Sequence, residues 1–382
     1  MGVLFAVVVF PLGIHQGGDF TQELRQSERL LRGLPLYPAN PAHGIWWPPF
    51  TALGLVPFAR VARWSLALAK ACWVTLNVAC LGWSVARARG WTTSWTPIVL
   101  AFAAVGGPLQ NNFEYLNLTP ILLALIVAAA DLEVGRDARA GASIGLATAI
   151  KGFPALLLVY LGYRRRWWGV ATGIAVAGGL TVGAMLPYGP VGAVRAVGDW
   201  LYLSSHAQAS VSSGSQALSG FSSFFGWPPA AVWLARVACL CGVGIALHRT
   251  AGERDRVYEV SLVTLLAVLL SPIAWPHYYI LALPAWVGVL SRPAPRTAWG
   301  RRLRVATLIV AGLLTSGVLT LSSSASVLGF LRNASYTCGG LLLLILFIAA
   351  AGFGAQSHQH EQRQGSLGSG SGPSSSTRTL MD

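Results

Sequence analysis

Acidic side chains are scarce in this chain, thirteen in 382 residues against 27 basic ones. Lysine is scarcer still: only Lys70 and Lys151 occur, and the remaining positive charge is arginine. Charged residues of both signs make up 10% of the sequence, where soluble domains carry about 25%. That shortage excludes an ordinary soluble domain. Apolar–polar alternation over about ten-residue segments is also missing, which excludes a β-barrel. The chain has no Gly-rich phosphate loop, no Walker motif and no outward-facing Asp-x-Asp to hold a metal-bound nucleotide sugar. Asp131-Leu132-Glu133 lies beside Arg136 and reads as loop charge. If the chain is a transferase, its activated donor is therefore lipid-linked rather than nucleotide-linked. The five cysteines (Cys72, Cys80, Cys239, Cys241, Cys338) all fall inside apolar runs and read as small hydrophobes, so neither a metal site nor a disulfide framework is implied.

What is abundant is apolar sequence. The chain is 54% hydrophobic, with a mean hydropathy of +0.57. Runs of about 15–22 apolar residues recur, as in a polytopic α-helical membrane protein. The net charge of +14 is not a nucleic-acid footprint, because the arginines cluster in short loops rather than on one face. The clusters are Arg87 with Arg89, Arg136 with Arg139, Arg164 to Arg166, Arg249 to Arg256 and Arg292 to Arg304. By the positive-inside rule these loops are cytoplasmic.

Spans are expected near 1–14, 64–86, 96–110, 116–130, 168–187, 230–247, 257–273, 277–291, 304–321 and 336–354. The first run carries no basic segment and no small-residue cleavage site, so it reads as a helix rather than a signal peptide. Segment 141–163 has arginines at both ends, so it must enter the membrane and return, with Lys151-Gly152-Phe153-Pro154 at its apex. Irregular backbone at that depth needs protein or a water-filled cavity around it. Two outside loops remain, 15–63 and 188–229. Gly141-xxx-Gly145 and Gly169-xxx-Gly173 allow close helix packing. The expected organisation is a membrane domain over 1–354 and a disordered Gly/Ser-rich tail over 355–382.

On this topology the outside carboxylates are Asp19, Glu23, Glu28, Glu114 and Asp199. Asp19 follows the first apolar run, and Asp19 and Glu23 share a face if that loop starts helically. Lys151, inside an apolar segment beside a proline, is a point charge suited to phosphate; a snorkelling lysine is the plainer alternative. Ser271-Pro272-Ile273-Ala274-Trp275-Pro276-His277-Tyr278-Tyr279 breaks two helices at the outer face and presents an imidazole, an indole and two phenols. An aromatic belt accounts for the rings but not for the histidine or the prolines.

These elements resemble glycosyltransferase family 87, membrane enzymes of the GT-C fold that use polyprenyl-phosphate-mannose. The resemblance rests on Asp19-Phe20, Gly33-Leu34-Pro35-Leu36-Tyr37, Trp46-Trp47-Pro48-Pro49-Phe50, Glu114-Tyr115-Leu116-Asn117, Lys151-Gly152-Phe153-Pro154, Ser215-Gln216-Ala217-Leu218-Ser219-Gly220 and Ser271 to His277. The chain departs from the family pattern at Glu114-Tyr115, Ser215 and Tyr278. The resemblance implies an all-α polytopic membrane protein with about 10–12 transmembrane helices and helical extracytoplasmic loops. It implies transfer of a hexose, mannose foremost, from a polyprenyl-phosphate sugar donor to a lipid or glycan acceptor. The implied place is the extracytoplasmic side of the plasma membrane, with no cofactor, no obligatory metal and no nucleic acid. It places the general base on Asp19, donor-phosphate contacts on Lys151 and His277, and substrate contacts on Tyr37, Trp47, Asn117, Gln216 and Trp275. The rival classes are a transporter or lipid flippase, a catalytically dead scaffold of the same fold, and a GT-C enzyme moving another polyprenyl-linked sugar such as arabinofuranose. A transporter would pair charges at the bilayer midplane and carry inverted repeats; no internal repeat is evident.

Overall fold

Apolar runs punctuated by Pro and Gly give many short helices, and a computed structural model of the chain arranges them around one buried core. It describes residues 11, 13–15, 18–37, 47–132, 135–206, 215–250, 256–321, 329 and 334–350. Most of the first apolar run, Trp46 and the Gly/Ser-rich tail lie outside the described residues. Within them all regular structure is helical: α1 (Gly18–Leu31), α2 (Pro49–Gly54), α3 (Val56–Ala62), α4 (Leu66–Arg89), α5 (Thr96–Ala104), α6 (Gly106–Tyr115), α7 (Thr119–Asp131), α8 (Asp137–Ile150) and α9 (Leu156–Tyr163). Then follow α10 (Trp167–Gly183), α11 (Gly189–His206), α12 (Leu218–Phe224), α13 (Pro229–Arg249), α14 (Arg256–Leu270), α15 (Leu283–Ser291), α16 (Ala298–Ser316) and α17 (Ala334–Ala350).

Two of these helices, α4 and α13, are long and apolar enough to cross a membrane unbroken; α10 with its 42° bend into α11 makes a possible third. The other apolar segments are split. The expected 96–110 span runs on to Tyr115 as α5 and α6, interrupted at Val105-Gly106. The expected 277–291 span starts as a 3-10 turn, Pro276–Ala282, before α15. Segment 188–229 holds α11 and α12, and segment 15–63 holds α1 to α3.

The arginine loops meet at one end of the molecule. Arg87 pairs with Asp131 at 3.3 Å, Arg256 donates to the Leu132 carbonyl at 2.9 Å, and Arg166 pairs with Asp137 at 2.9 Å. Glu259, 2% exposed, accepts from Arg164, Tyr160 and Thr250. Arg164 also donates to the Leu247 carbonyl at 2.7 Å. Both Glu259 oxygens are paired, the condition for a buried carboxylate to be tolerated in such a network.

The Asp137–Arg166 pair shows that the chain leaves this end in α8 and is back before α10 begins. Between them the helix stops at Lys151, whose backbone is extended, and Gly152 and Pro154 turn the chain into a 3-10 step, Phe153–Ala155, and then α9. Fourteen residues put the tip about 21 Å above the base, short of a bilayer core of about 30 Å. The two Gly-xxx-Gly elements account for the hairpin's stability. They pack against each other: a Cβ on Gly141 would collide with the Gly169 carbonyl, and one on Gly145 with that of Gly173. The pairing 141 to 169 and 145 to 173 makes α8 and α10 parallel, as a returning α9 requires.

Two outcomes are expected. Gly141→Val cannot keep this approach and should cost about 1–3 kcal/mol or more, read as a lowered Tm of the detergent-solubilised protein. Single cysteines at positions 139 and 165, in a background without the native cysteines, should be labelled by an impermeant maleimide from the same side of sealed vesicles. Labelling from opposite sides would show that the segment crosses rather than returns.

Candidate active site

α1 is amphipathic, with Phe20, Glu23, Leu24, Ser27 and Leu30 among its buried residues. Asp19 lies in its first turn, where the free backbone N–H groups favour a carboxylate. Phe20 anchors the turn, stacked on Trp73 at 5.3 Å and edge-on to Phe58 at 6.2 Å. Asp19 Oδ2 accepts from Asn117 Nδ2 at 2.9 Å. The Leu118 amide donates to Asn117 Oδ1 at 2.9 Å, which fixes the side-chain amide with its nitrogen toward Asp19. Asn117 is delivered by an uncommon backbone: Leu116 closes α6 in the left-handed region at φ 54°, and Trp73 Nε1 holds its carbonyl at 2.8 Å.

Lys151 at the hairpin tip is 5% exposed. Its Nζ donates to Tyr278 Oη at 2.6 Å and lies 4.3 Å from the Trp47 ring centroid. Phe153 stacks on Tyr278 at 5.2 Å, and Thr51 Oγ1 donates to the Ile150 carbonyl at 2.9 Å, so the tip is held from both sides. No carboxylate pairs with Lys151 among the described residues. The cation is sheltered by aromatic faces and keeps N–H groups available for an anion.

Burial pushes the Asp19 carboxyl above the usual carboxylate range, while the Asn117 bond and the Lys151 charge pull it back. Glu23, one turn on, is 2% exposed, and neither of its oxygens has a hydrogen-bond partner among the described residues. Burial holds it well above the usual range, against the pull of Lys151 and with a further push from Asp19. The pair is thus divided: Asp19 ionises first, and Glu23 keeps its proton more firmly. A base whose pKa is raised toward neutrality takes a proton better than a solvated aspartate does.

His277 is 2% exposed in the 3-10 turn; its Nδ1 lies 3.0 Å from Asn111 Oδ1, and its Nε2 has no partner among the described residues. Tyr37 does not reach the cluster directly. Its hydroxyl donates to the Trp47 carbonyl at 2.8 Å, so it positions the ring over Lys151. Trp275 is half-buried and caps the 3-10 turn. Gln216 is fully buried and serves as a joint: its Oε1 accepts from the Tyr336 amide at 3.2 Å, and its carbonyl from Tyr279 at 2.7 Å and Thr337 at 2.8 Å. Asn111 was not singled out in the sequence, where only Glu114 to Asn117 was aligned with the resembled motif. One helical turn separates Asn111 from that motif. Among the described residues no three His, Cys, Asp or Glu side chains converge as a metal site would require.

The sequence profile of glycosyltransferase family 87 matches residues 46–272, well over half of the chain. The chain belongs to glycosyltransferase family 87. Two curated proteins, from Mycolicibacterium smegmatis and Mycobacterium tuberculosis, are each 26% identical to it, over 265 and 268 residues. Both are named polyprenol-phosphate-mannose-dependent alpha-(1-2)-phosphatidylinositol pentamannoside mannosyltransferase. The matched region is 65% of this chain in each case, and 61% and 58% of those proteins, so the chain spans about three-fifths of their length. No solved structure matches the chain. The family match contains Trp47, Asn117, Lys151 and Gln216; Asp19 precedes it and His277 follows it. With its apolar helices, this family 87 chain is a membrane protein.

Asn117→Ala removes the hydrogen bond that favours ionised Asp19. The carboxyl then rises further, and the basic form is lost at a higher pH as pH falls. The acidic limb of the transfer rate against pH should move upward in Asn117→Ala relative to the wild type. An unmoved limb would separate Asn117 from the base.

Proposed function

We propose that this family 87 chain is a membrane glycosyltransferase that takes a hexose, mannose foremost, from a polyprenyl-phosphate carrier at the extracytoplasmic face of the plasma membrane. The acceptor is a lipid or glycan, and the names of the two relatives favour a mannosylated phosphatidylinositol. One observation carries the reading: a half-buried carboxylate oriented by Asn117 shares a site with a buried lysine that has no carboxylate paired to it among the described residues.

The chemistry follows from those two charges. An acceptor hydroxyl gives its proton to Asp19 as its oxygen bonds to the anomeric carbon. The bond from that carbon to the phosphate oxygen breaks on the opposite face, and polyprenyl phosphate leaves with the electron pair, so the configuration inverts. A phosphate leaving group needs cationic support rather than protonation, and Lys151 supplies it without a second carboxylic acid. His277 lies next in sequence to the tyrosine that holds Lys151, and its Nε2 is free to take a hydroxyl or a phosphate oxygen. Trp47 and Trp275 offer faces for a sugar ring.

Membranes supplied with radiolabelled polyprenyl-phosphate-mannose and lipid acceptors test this. Asp19→Asn should lower transfer by about 10²–10⁴-fold, and Lys151→Met by about 10²–10³-fold. Lys151→Arg should recover little, because a planar fork does not fit the point-charge cage under Trp47. Equal transfer by Asp19→Asn and the wild type would remove the base assignment, and no transfer by the wild type would favour a transporter.

A further inference from the structure

A second hollow, of mixed polar and apolar lining, lies apart from the Asp19–Lys151 cluster. It is an open cleft of about 600 Å³ between the end of α1, the 33–37 turn and α11. Its lining includes Arg29, Tyr37, Tyr188, Arg195, Asp199 and Tyr202. Two guanidinium groups, one carboxylate and three phenols suit a ligand that is both anionic and rich in hydroxyls. The cleft is held open by its own bonds. Arg29 Nε donates to the Pro35 carbonyl at 2.7 Å, which leaves its terminal N–H groups without a hydrogen-bond partner among the described residues, and Tyr188 donates to the Leu34 carbonyl at 2.6 Å. Arg195 and Asp199 are one turn apart on α11 yet form no ion pair with each other.

Two further observations say where such a ligand sits. α11 leaves Val191, Val194 and Leu201 84%, 76% and 55% exposed, with Val191 one turn before Arg195 on the same ridge of the helix. Large apolar side chains exposed beside an arginine and an aspartate fit a helix at a membrane surface, where lipid headgroups lie. Tyr37 is a shared wall: it lines the cleft, and its hydroxyl holds Trp47 over Lys151. From Arg29 back to Asp19 is ten residues of α1, about 15 Å. That span fits an oligosaccharide rather than one sugar.

We infer that the cleft between α1 and α11 binds the phosphate-linked, polyhydroxylated ring of a lipid acceptor's headgroup, while the acceptor's outermost sugar reaches Asp19. Arg29 and Arg195 take the phosphate, and Asp199 and the tyrosines take ring hydroxyls. This rests on the transferase reading for its direction, but binding can be measured without donor and without turnover.

The test uses the full chain in detergent micelles with short-chain phosphatidylinositol, phosphatidylglycerol and phosphatidylcholine as probes. Phosphatidylinositol should bind at least about tenfold more tightly than the other two, and inositol 1-phosphate should displace it where inorganic phosphate at the same concentration does not. Arg195→Ala should weaken that binding by about tenfold, with partial recovery in Arg195→Lys. In transfer assays the same variant should raise the KM for the acceptor and not that for the donor. Equal binding of phosphatidylglycerol, wild-type binding by Arg195→Ala, or displacement by inorganic phosphate as effective as by inositol phosphate would each overturn the inference. A wild-type protein that binds phosphatidylinositol but transfers nothing would overturn the transferase reading and leave the cleft assignment standing.

Discussion

Gly141 and Gly145 meet Gly169 and Gly173 with no side chain between them, and this backbone contact determines where α9 must turn back. Helices in an apolar medium gain little from burying more apolar surface, so they associate through close packing instead. Here the packing fixes α8 and α10 in parallel, and a chain linking two parallel helices from end to start has to return between them. The lysine at the turn is thereby enclosed by protein, the one setting in which broken helix and charge are tolerated within a membrane.

The site is economical in charge. Among the described residues one cation and two carboxyls occupy it, and neither carboxyl forms an ion pair with the cation. Lys151 is held by a phenol and an indole, neither of which cancels its charge. Asp19 keeps its charge through a neutral amide. Neutral partners leave both charged groups strong toward a substrate, where a direct salt bridge would have spent each on the other.

Much of this was legible because rare residues stand out against an apolar background. Asp19, Lys151 and the Ser271 to His277 turn each break a local pattern, and the arginine clusters give the hairpin its two ends on one side. The GxxxG-like spacings were visible, but not that each would find the other. Asn111 was not legible: an asparagine in an apolar stretch has no periodic or charge signature, and only a contact across 166 positions shows its tie to His277. Gln216 shows the opposite case. Its motif-like setting suggested substrate, whereas its bonds run to α17 and Tyr279. Short breaks such as Val105-Gly106 also elude a count of apolar runs, because hydropathy averages over the kink.

The arginine-rich end has a mechanical meaning. The hairpin is anchored there by Arg166 on Asp137 and by Arg164 on Glu259, and Lys151 is at the far tip. It behaves as a cantilever about 21 Å long. A tilt of about 3° at the base carries Lys151 about 1 Å, a displacement large enough to cost about a hundredfold in rate. Side chains a full hairpin's length from Lys151 thus set where its charge points.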